Sequence, residues 1–392
     1  MPRPDFTTLH RQLRETASTV APAIQLTVRR KGRVIFSRAY GWLDPDTRQH
    51  PTTNQTLFDL ASVTKLFVVT TFMALTEAGQ LSLDQPVAGV LPELDEIRTI
   101  QPYEDPLGSA AWVTLGETGS VKAGEVTFRH FLTHTSGLPA WRPLYRQPSA
   151  KAARDMALTT FFAYPTGTRV VYSDIGLILL GIAIERTTGL SLDGAVRQAV
   201  TGPLDLQRTR YRPLHARHDA VDNANIAPTE FCAWRGRRIA GEVHDENAYR
   251  LDGVAGHAGL FSTADDVATF GQMFLDRCGG ALAVPHDDVR LSAETVGAMR
   301  RLQTPGMAIR RGLGFALWDP DPEASSNPFS KTAFGHTGFT GTSLWIDPDR
   351  DLVVALLTNE VYNGRQGRKI GPLRLDVHRA IVEAVDGVVD DL

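Results

Sequence analysis

The apolar positions near the start of the chain fall on alternate residues: Ile24, Leu26 and Val28 are separated by Gln25 and Thr27, and beyond Lys31-Gly32 the alternation resumes at Val34 and Phe36. A period of two puts every second side chain on one face of an extended strand, so this stretch predicts a β-hairpin, with a helix up to about Val20 ahead of it. Near the other end, residues 343–346 and 352–357 flank Asp347-Pro348-Asp349-Arg350, a turn-forming cluster, and predict a second hairpin. An amphipathic pattern over 372–385 then predicts a closing helix.

Between the hairpins the pattern changes to long apolar runs with helix punctuation. Helices are expected over 66–78, stopped by Gly79, and over 175–188, stopped by Gly189. A third is expected over 264–274, entered through Ser262-Thr263, with Asp265 three positions after Ser262 in a capping-box-like start. Strands at both ends with helices between them place the two ends in one antiparallel sheet. The expected fold class is therefore α+β, an α/β sandwich. Residues 1–80 and 330–392 build the sheet lobe from N- and C-terminal strands flanked by helices, and 81–329 form an inserted, mostly helical lobe of the same unit. Two stretches, 101–125 and 205–247, mix charge, Gly and Pro without a period; they read either as loops over a substrate site or as mobile linkers. No internal repeat or low-complexity tract is present.

Composition narrows the function. The 392 residues are 42% hydrophobic and 22% charged, enough for a large core, and the net charge of -3 offers no basic footprint for nucleic acid or anionic lipid. The longest apolar run, 177–184, is far short of the roughly 20 residues that cross a bilayer, so no membrane partner is expected. The first residues carry no apolar secretory core, and the chain is expected to be cytoplasmic. Cys232 and Cys278 lack the spacing of a thiolate metal site or a disulfide framework.

Three short motifs carry chemistry. In Ser62-Val63-Thr64-Lys65 the i, i+3 spacing brings hydroxyl and amine to one side of a helix start. A serine hydroxyl needs a base, and a lysine desolvated in an apolar helix can have its pKa lowered enough to act neutral. The Ser62 amide, at the positive end of that helix, is suited to hold an oxyanion. Tyr172-Ser173-Asp174 precedes the second apolar helix, where the phenol can reach a neighbouring site and take the Ser62 proton. His336-Thr337-Gly338 leads into a strand; small residues at Gly338 and Gly341 let a substrate approach, and the Phe339 amide is placed to be a second oxyanion donor.

In this order the three motifs resemble the boxes of the serine β-lactamase and penicillin-binding protein superfamily, nearest to its class C-related branch of β-lactamase-like esterases and D-amino-acid peptidases. The stretches 58–65, 131–139, 256–262 and 335–342 extend the likeness over about 24–385. The resemblance implies an acyl-enzyme serine hydrolase with Ser62 as nucleophile at the floor of a cleft between two lobes. Lys65 and Tyr172 share the proton work, and the Ser62 and Phe339 amides hold the oxyanion. Asp174, His336, Thr337 and Gly338 fill the substrate-facing positions.

Two departures shift the expected substrate. Asp174 stands where the second box commonly has Asn; it accepts where the amide would donate, and it can hold Lys65 charged, which leaves Tyr172 as the base. His336 stands where a Lys commonly binds a substrate carboxylate, so dependence on a carboxylate should weaken. Esterase or peptidase-like action on a small ester, amide or D-amino-acid peptide is favoured over efficient β-lactam hydrolysis. The alternative is a sensor-type protein acylated by β-lactams with negligible turnover.

Other histidines are read as structural: His134 and His257 are expected to hydrogen-bond backbone and shape the cleft. His215 and His218 with Asp219 lack a third spaced ligand, so no metal and no cofactor are expected. The sequence does not fix an oligomeric state.

Overall fold

The computed structural model describes residues 4–105, 111–214, 225–279, 289 and 291–387; His215, His218 and Asp219 lie outside them. The elements that position the site are, in chain order, α1 (Thr7–Thr19), β1 (Ala23–Arg30), β2 (Arg33–Gly41), β3 (Phe58–Asp59), α2 (Thr64–Glu77), α3 (Asp174–Thr188), β4 (Arg210–Tyr211), β5 (Leu260–Ser262), α4 (Ala264–Arg277), β6 (Ala316–Leu317), β7 (Phe334–Thr337), β8 (Ser343–Asp347), β9 (Leu352–Thr358) and α5 (Ile370–Asp386).

Both predicted hairpins form. Lys31 and Gly32, with φ of 50° and 72°, turn β1 into β2, and a short helical turn, Pro348–Arg350, with Asp351 at φ 52° joins β8 to β9. They share one six-stranded antiparallel sheet in the order β6-β7-β8-β9-β1-β2. The pairing of β9 with β1 joins strands far apart in sequence, with Leu26 opposite Leu356 and Val28 opposite Val354. Every residue of β9 is buried, because both faces of the sheet are covered. Leu352, Val354 and Leu356 pack with Leu9 and Leu13 of α1 and Val377 and Ile381 of α5. Val353, Ala355 and Leu357 face the other way, into the main core with α4. Gly271 makes that second contact possible: a Cβ there would lie 2.6 Å from Val353 and 2.9 Å from Leu344. Thus α4 and β6, although they come from the stretch 81–329, belong to the sheet half.

Helix α2 is apolar all round and buried from Thr64 to Ala74. Phe67 stacks on Phe270 of α4, with ring centroids 3.9 Å apart, so α2 is wedged between the sheet half and the helices around α3. Gly79 and Gly189, at φ 70° and 69°, end α2 and α3 as their sequence positions predict.

Two expectations need correction. The cap of α4 is Thr263, which accepts the Asp266 amide; Ser262 belongs to β5, and its hydroxyl bonds Thr209 at 2.7 Å. Serine is the stronger cap of the two, but pairing of β5 with β3 and β4 claims Ser262 and leaves the role to Thr263. The two aperiodic stretches also contain regular structure: Tyr103–Glu104 pairs with Trp112–Val113, Ser120–Lys122 with Ile97–Thr99, and Phe231–Cys232 with Arg237–Arg238. Strands of two or three residues are too short to write a period into a sequence. No single helix among the described residues is long and apolar enough to cross a membrane.

Candidate active site

Ser62 sits in one 3-10 turn, Ala61–Val63, that opens directly into α2. The turn is unusual at its first residue, since Ala61 takes the left-handed conformation at φ 46°, which costs a residue with a Cβ about 1 kcal/mol or more. It is held there by Asp59, whose buried carboxylate accepts the Ala61 amide at 2.8 Å and the His244 amide at 2.6 Å. Burial pushes the Asp59 carboxyl up from its ordinary range in spite of those bonds. From the other side Thr340 and Thr342 donate to the Asp59 and Leu60 carbonyls at 2.7 and 2.8 Å. Gly338 lets the strands close on the turn, because a Cβ there would lie 2.5 Å from the Leu60 carbonyl oxygen.

Lys65, one turn along, is 1% exposed and uses its ammonium fully: Nζ donates to Ser62 Oγ at 2.8 Å and to the His257 carbonyl at 3.0 Å, and lies 2.8 Å from Asp174 Oδ1. Burial alone would pull its pKa down. Asp174 and Tyr172 outweigh that effect and hold it above its ordinary value. Of the two readings the sequence left open, a neutral lysine or one held charged by Asp174, the 2.8 Å contact supports the second, since an asparagine at position 174 would leave the ammonium without its counter-ion.

Tyr172 closes the third side of the hydroxyl. Its phenol is buried, with Ser62 and Lys65 as polar neighbours, but it makes no well-aligned hydrogen bond. Burial, opposed by Lys65, raises its pKa above the ordinary 10.0. The ring is held by His134 at 4.6 Å and His336 at 5.8 Å. His134 Nδ1 accepts the Ser173 amide at 3.1 Å, the backbone role expected of it, and Ser173 caps α3 through the Gly176 amide. His257 works differently: besides lending its carbonyl to Lys65, its Nε2 meets Asp245 at 2.9 Å, side chain to side chain.

The third motif arrives along β7. His336 is buried, and burial with Arg311 and Lys65 nearby drives its pKa well below 6.5. Its Nδ1 lies 2.7 Å from the Thr337 carbonyl, which only accepts, so the neutral ring carries its hydrogen there and leaves Nε2 as an unpartnered acceptor. Ser62, Tyr172, His336, Thr337, Gly338 and Phe339 line one cavity of about 390 Å³; Lys65 and Asp174 stand just behind Ser62.

Three arginines on that wall escaped the sequence reading: Arg311, Arg368 and Arg374. Arg368 and Arg374 have definite partners. Arg311 has none: its guanidinium stands over the Tyr172 ring at 5.3 Å, its Nε is buried without a hydrogen bond, and no carboxylate among the described residues pairs with it. Desolvation lowers its pKa.

A family model described as Beta-lactamase matches residues 10–379. The chain is 33% identical over 366 residues to an N-acetylmuramyl-L-alanine amidase of Bacillus subtilis (strain 168), covering 86% of this chain and 77% of that one. It is 28% identical over 381 residues to a protein of Salmonella agona (strain SL483) named as a D-alanyl-D-alanine carboxypeptidase, covering 90% and 82%. Among solved structures, unliganded simvastatin synthase (LovD) from Aspergillus terreus superposes with a TM-score of 0.70 at 23% identity, over 99% of this chain and 100% of that one, a likeness of fold.

Proposed function

Because this chain belongs to the beta-lactamase family, we propose that it is a serine hydrolase that cleaves a small amide, peptide or ester through a Ser62 acyl-enzyme, and that its substrate carries a carboxylate. The observation that carries the chemistry is the 2.8 Å contact of Lys65 Nζ with Ser62 Oγ at the wall of the cavity. In this reading Ser62 Oγ bonds to the substrate carbonyl carbon while its proton passes to the Tyr172 oxygen, which acts in its phenolate form beside the Lys65 ammonium. The amides of Ser62 and Phe339 receive the oxyanion. Tyr172 then gives the proton to the leaving amine or alkoxide as the C–N or C–O bond breaks. Water attacks the acyl carbon next, releasing the acid and restoring the Ser62 hydroxyl. Asp174 keeps Lys65 charged throughout, so the lysine acts as an electrostatic partner and Tyr172 as the base.

Arg311 supports the carboxylate. A partly buried cation without a counter-ion is costly, and its place beside the Tyr172 ring on the cavity wall offers that missing partner as part of the substrate. The positive charge that the third motif lacks at His336 is thus supplied from another loop. The names of the amidase and carboxypeptidase relatives accord with an amide or peptide substrate. A peptide with a free C-terminal carboxylate is expected to surpass its C-terminal amide by about tenfold to a hundredfold in kcat/KM, the range of a charge-assisted hydrogen bond. Arg311→Gln should erase most of that preference, and equal rates for both peptides with the wild type would refute the assignment.

The pH profile follows from the same groups. Tyr172 is held above its ordinary 10.0, so the active phenolate fraction grows with pH throughout the neutral range, while Lys65, held above 10.5, stays charged there. For a neutral ester, log kcat/KM is expected to rise by about one per pH unit between about pH 6 and 9. His134 and His336, driven well below 6.5, add no inflection there. A plateau from pH 7 upward would exclude Tyr172 as the base.

A further inference from the structure

We propose that Arg374 is a positioning residue for the oxyanion donor: it fixes and polarises the peptide group that contains the Phe339 N–H. The inference rests on the acyl-enzyme reading above and adds a residue to it. The Phe339 N–H and the Gly338 carbonyl belong to one planar amide, so whatever holds Gly338 O sets the direction of the N–H. Arg374, reaching from α5, donates one terminal nitrogen to Gly338 O at 2.8 Å and to Thr342 O at 2.7 Å. The Gly338 amide itself donates to Thr342 O at 2.7 Å, so the guanidinium clasps both ends of the turn that presents Phe339.

The turn needs such a clasp. Gly338 and Gly341 bracket it, Gly341 sits at φ 115°, and glycines leave the backbone between them loosely determined. The next peptide plane is held separately. Arg368 donates to the Phe339 carbonyl at 2.5 Å and lies 4.4 Å over the Phe339 ring, with Glu360 accepting from Arg368 at 2.5 Å. On another side the ring stacks on His244, 5.6 Å away. Both peptide planes that meet at the Phe339 Cα are therefore gripped by arginines.

Arg374 also has the energetic mark of a retained function. It is buried, its Nε has no partner, and no carboxylate among the described residues forms an ion pair with it; burial, reinforced by Arg368 and opposed by Glu360, brings its pKa down to about 9. A carbonyl clasp alone is within reach of a neutral side chain. A cation on the carbonyl does more, since it draws electron density along the amide and strengthens the N–H as a donor to a developing oxyanion.

The test compares an ester with its thionoester, in which the carbonyl oxygen is replaced by sulfur, a poor acceptor. The wild type should favour the oxygen substrate strongly. Arg374→Met should lower kcat for the ester by about tenfold to a hundredfold and shrink the oxygen-to-sulfur ratio at least about tenfold, with KM within about threefold of wild type. Arg374→Lys, which keeps one charged donor, should recover part of the ratio, and it carries the measurement if Arg374→Met does not fold. An unchanged ratio in either folded variant, or a loss confined to KM, would overturn the proposal. Failure of the underlying reading would show separately, as a wild type that forms no fluorophosphonate adduct on Ser62.

Discussion

Replacing Ser62 by alanine is expected to lower kcat for a nitrophenyl ester by about 10³-fold or more and to abolish the mass increase on fluorophosphonate treatment. The size follows from the role: without the hydroxyl no acyl-enzyme forms, and only the oxyanion donors and binding remain. Stability should change by less than about 1 kcal/mol, because Lys65 keeps the His257 carbonyl and Asp174 when one neutral acceptor is lost. A urea titration on the same sample separates the two effects. Undiminished turnover in Ser62→Ala would remove the residue from the chemistry. A wild type that takes up a β-lactam and never releases it would instead mark a slow-deacylating binding protein.

Lys65→Met should harm both activity and folding. The variant keeps the apolar stem in the α2 core but leaves Asp174 without its cation; breaking such a pair costs about 3 to 5 kcal/mol when fully buried. Asp174 is 21% exposed, which allows some rehydration, so about 3 kcal/mol is expected, read as a lower urea midpoint at unchanged slope. Turnover should fall by about 10³-fold, since both the Ser62 alkoxide and the Tyr172 phenolate lose their stabilising charge. Adding Asp174→Asn removes the stranded carboxylate and should return much of the stability and none of the rate. Recovery of rate in the double variant would show that Lys65 serves only to neutralise Asp174.

The residues that converge on the cavity were legible where spacing or local chemistry marks them. Ser62 and Lys65 announce themselves by i, i+3 placement on an apolar helix, and Tyr172 and His336 by their short motifs. The pairing of Asp174 with Lys65 was legible as an option, because an ionised carboxylate in place of an amide demands a cation. Arg311, Arg368 and Arg374 were not legible. An arginine in a loop or on the polar stripe of a helix looks like any solvated charge, and what sets these apart is which carbonyl or empty space they face. The sheet was legible from the alternation of β1 and the continuous apolar run of β9, a strand covered on both sides. The miniature strands within 101–125 and 205–247 were not, since their pairing is imposed by the surrounding fold.

The junction of β1 with β9 bears on how this protein is made. A nascent chain carries β1 long before its partner strand, and the edge that pairs with Leu352–Thr358 stays empty until that segment has left the ribosome. Closing so distant a contact is slow, and an apolar ribbon such as Ile24–Val28 is exposed in the interval. Biogenesis thus carries an aggregation hazard at the β1–β2 hairpin during translation, and the arrival of β9 is what ends that danger.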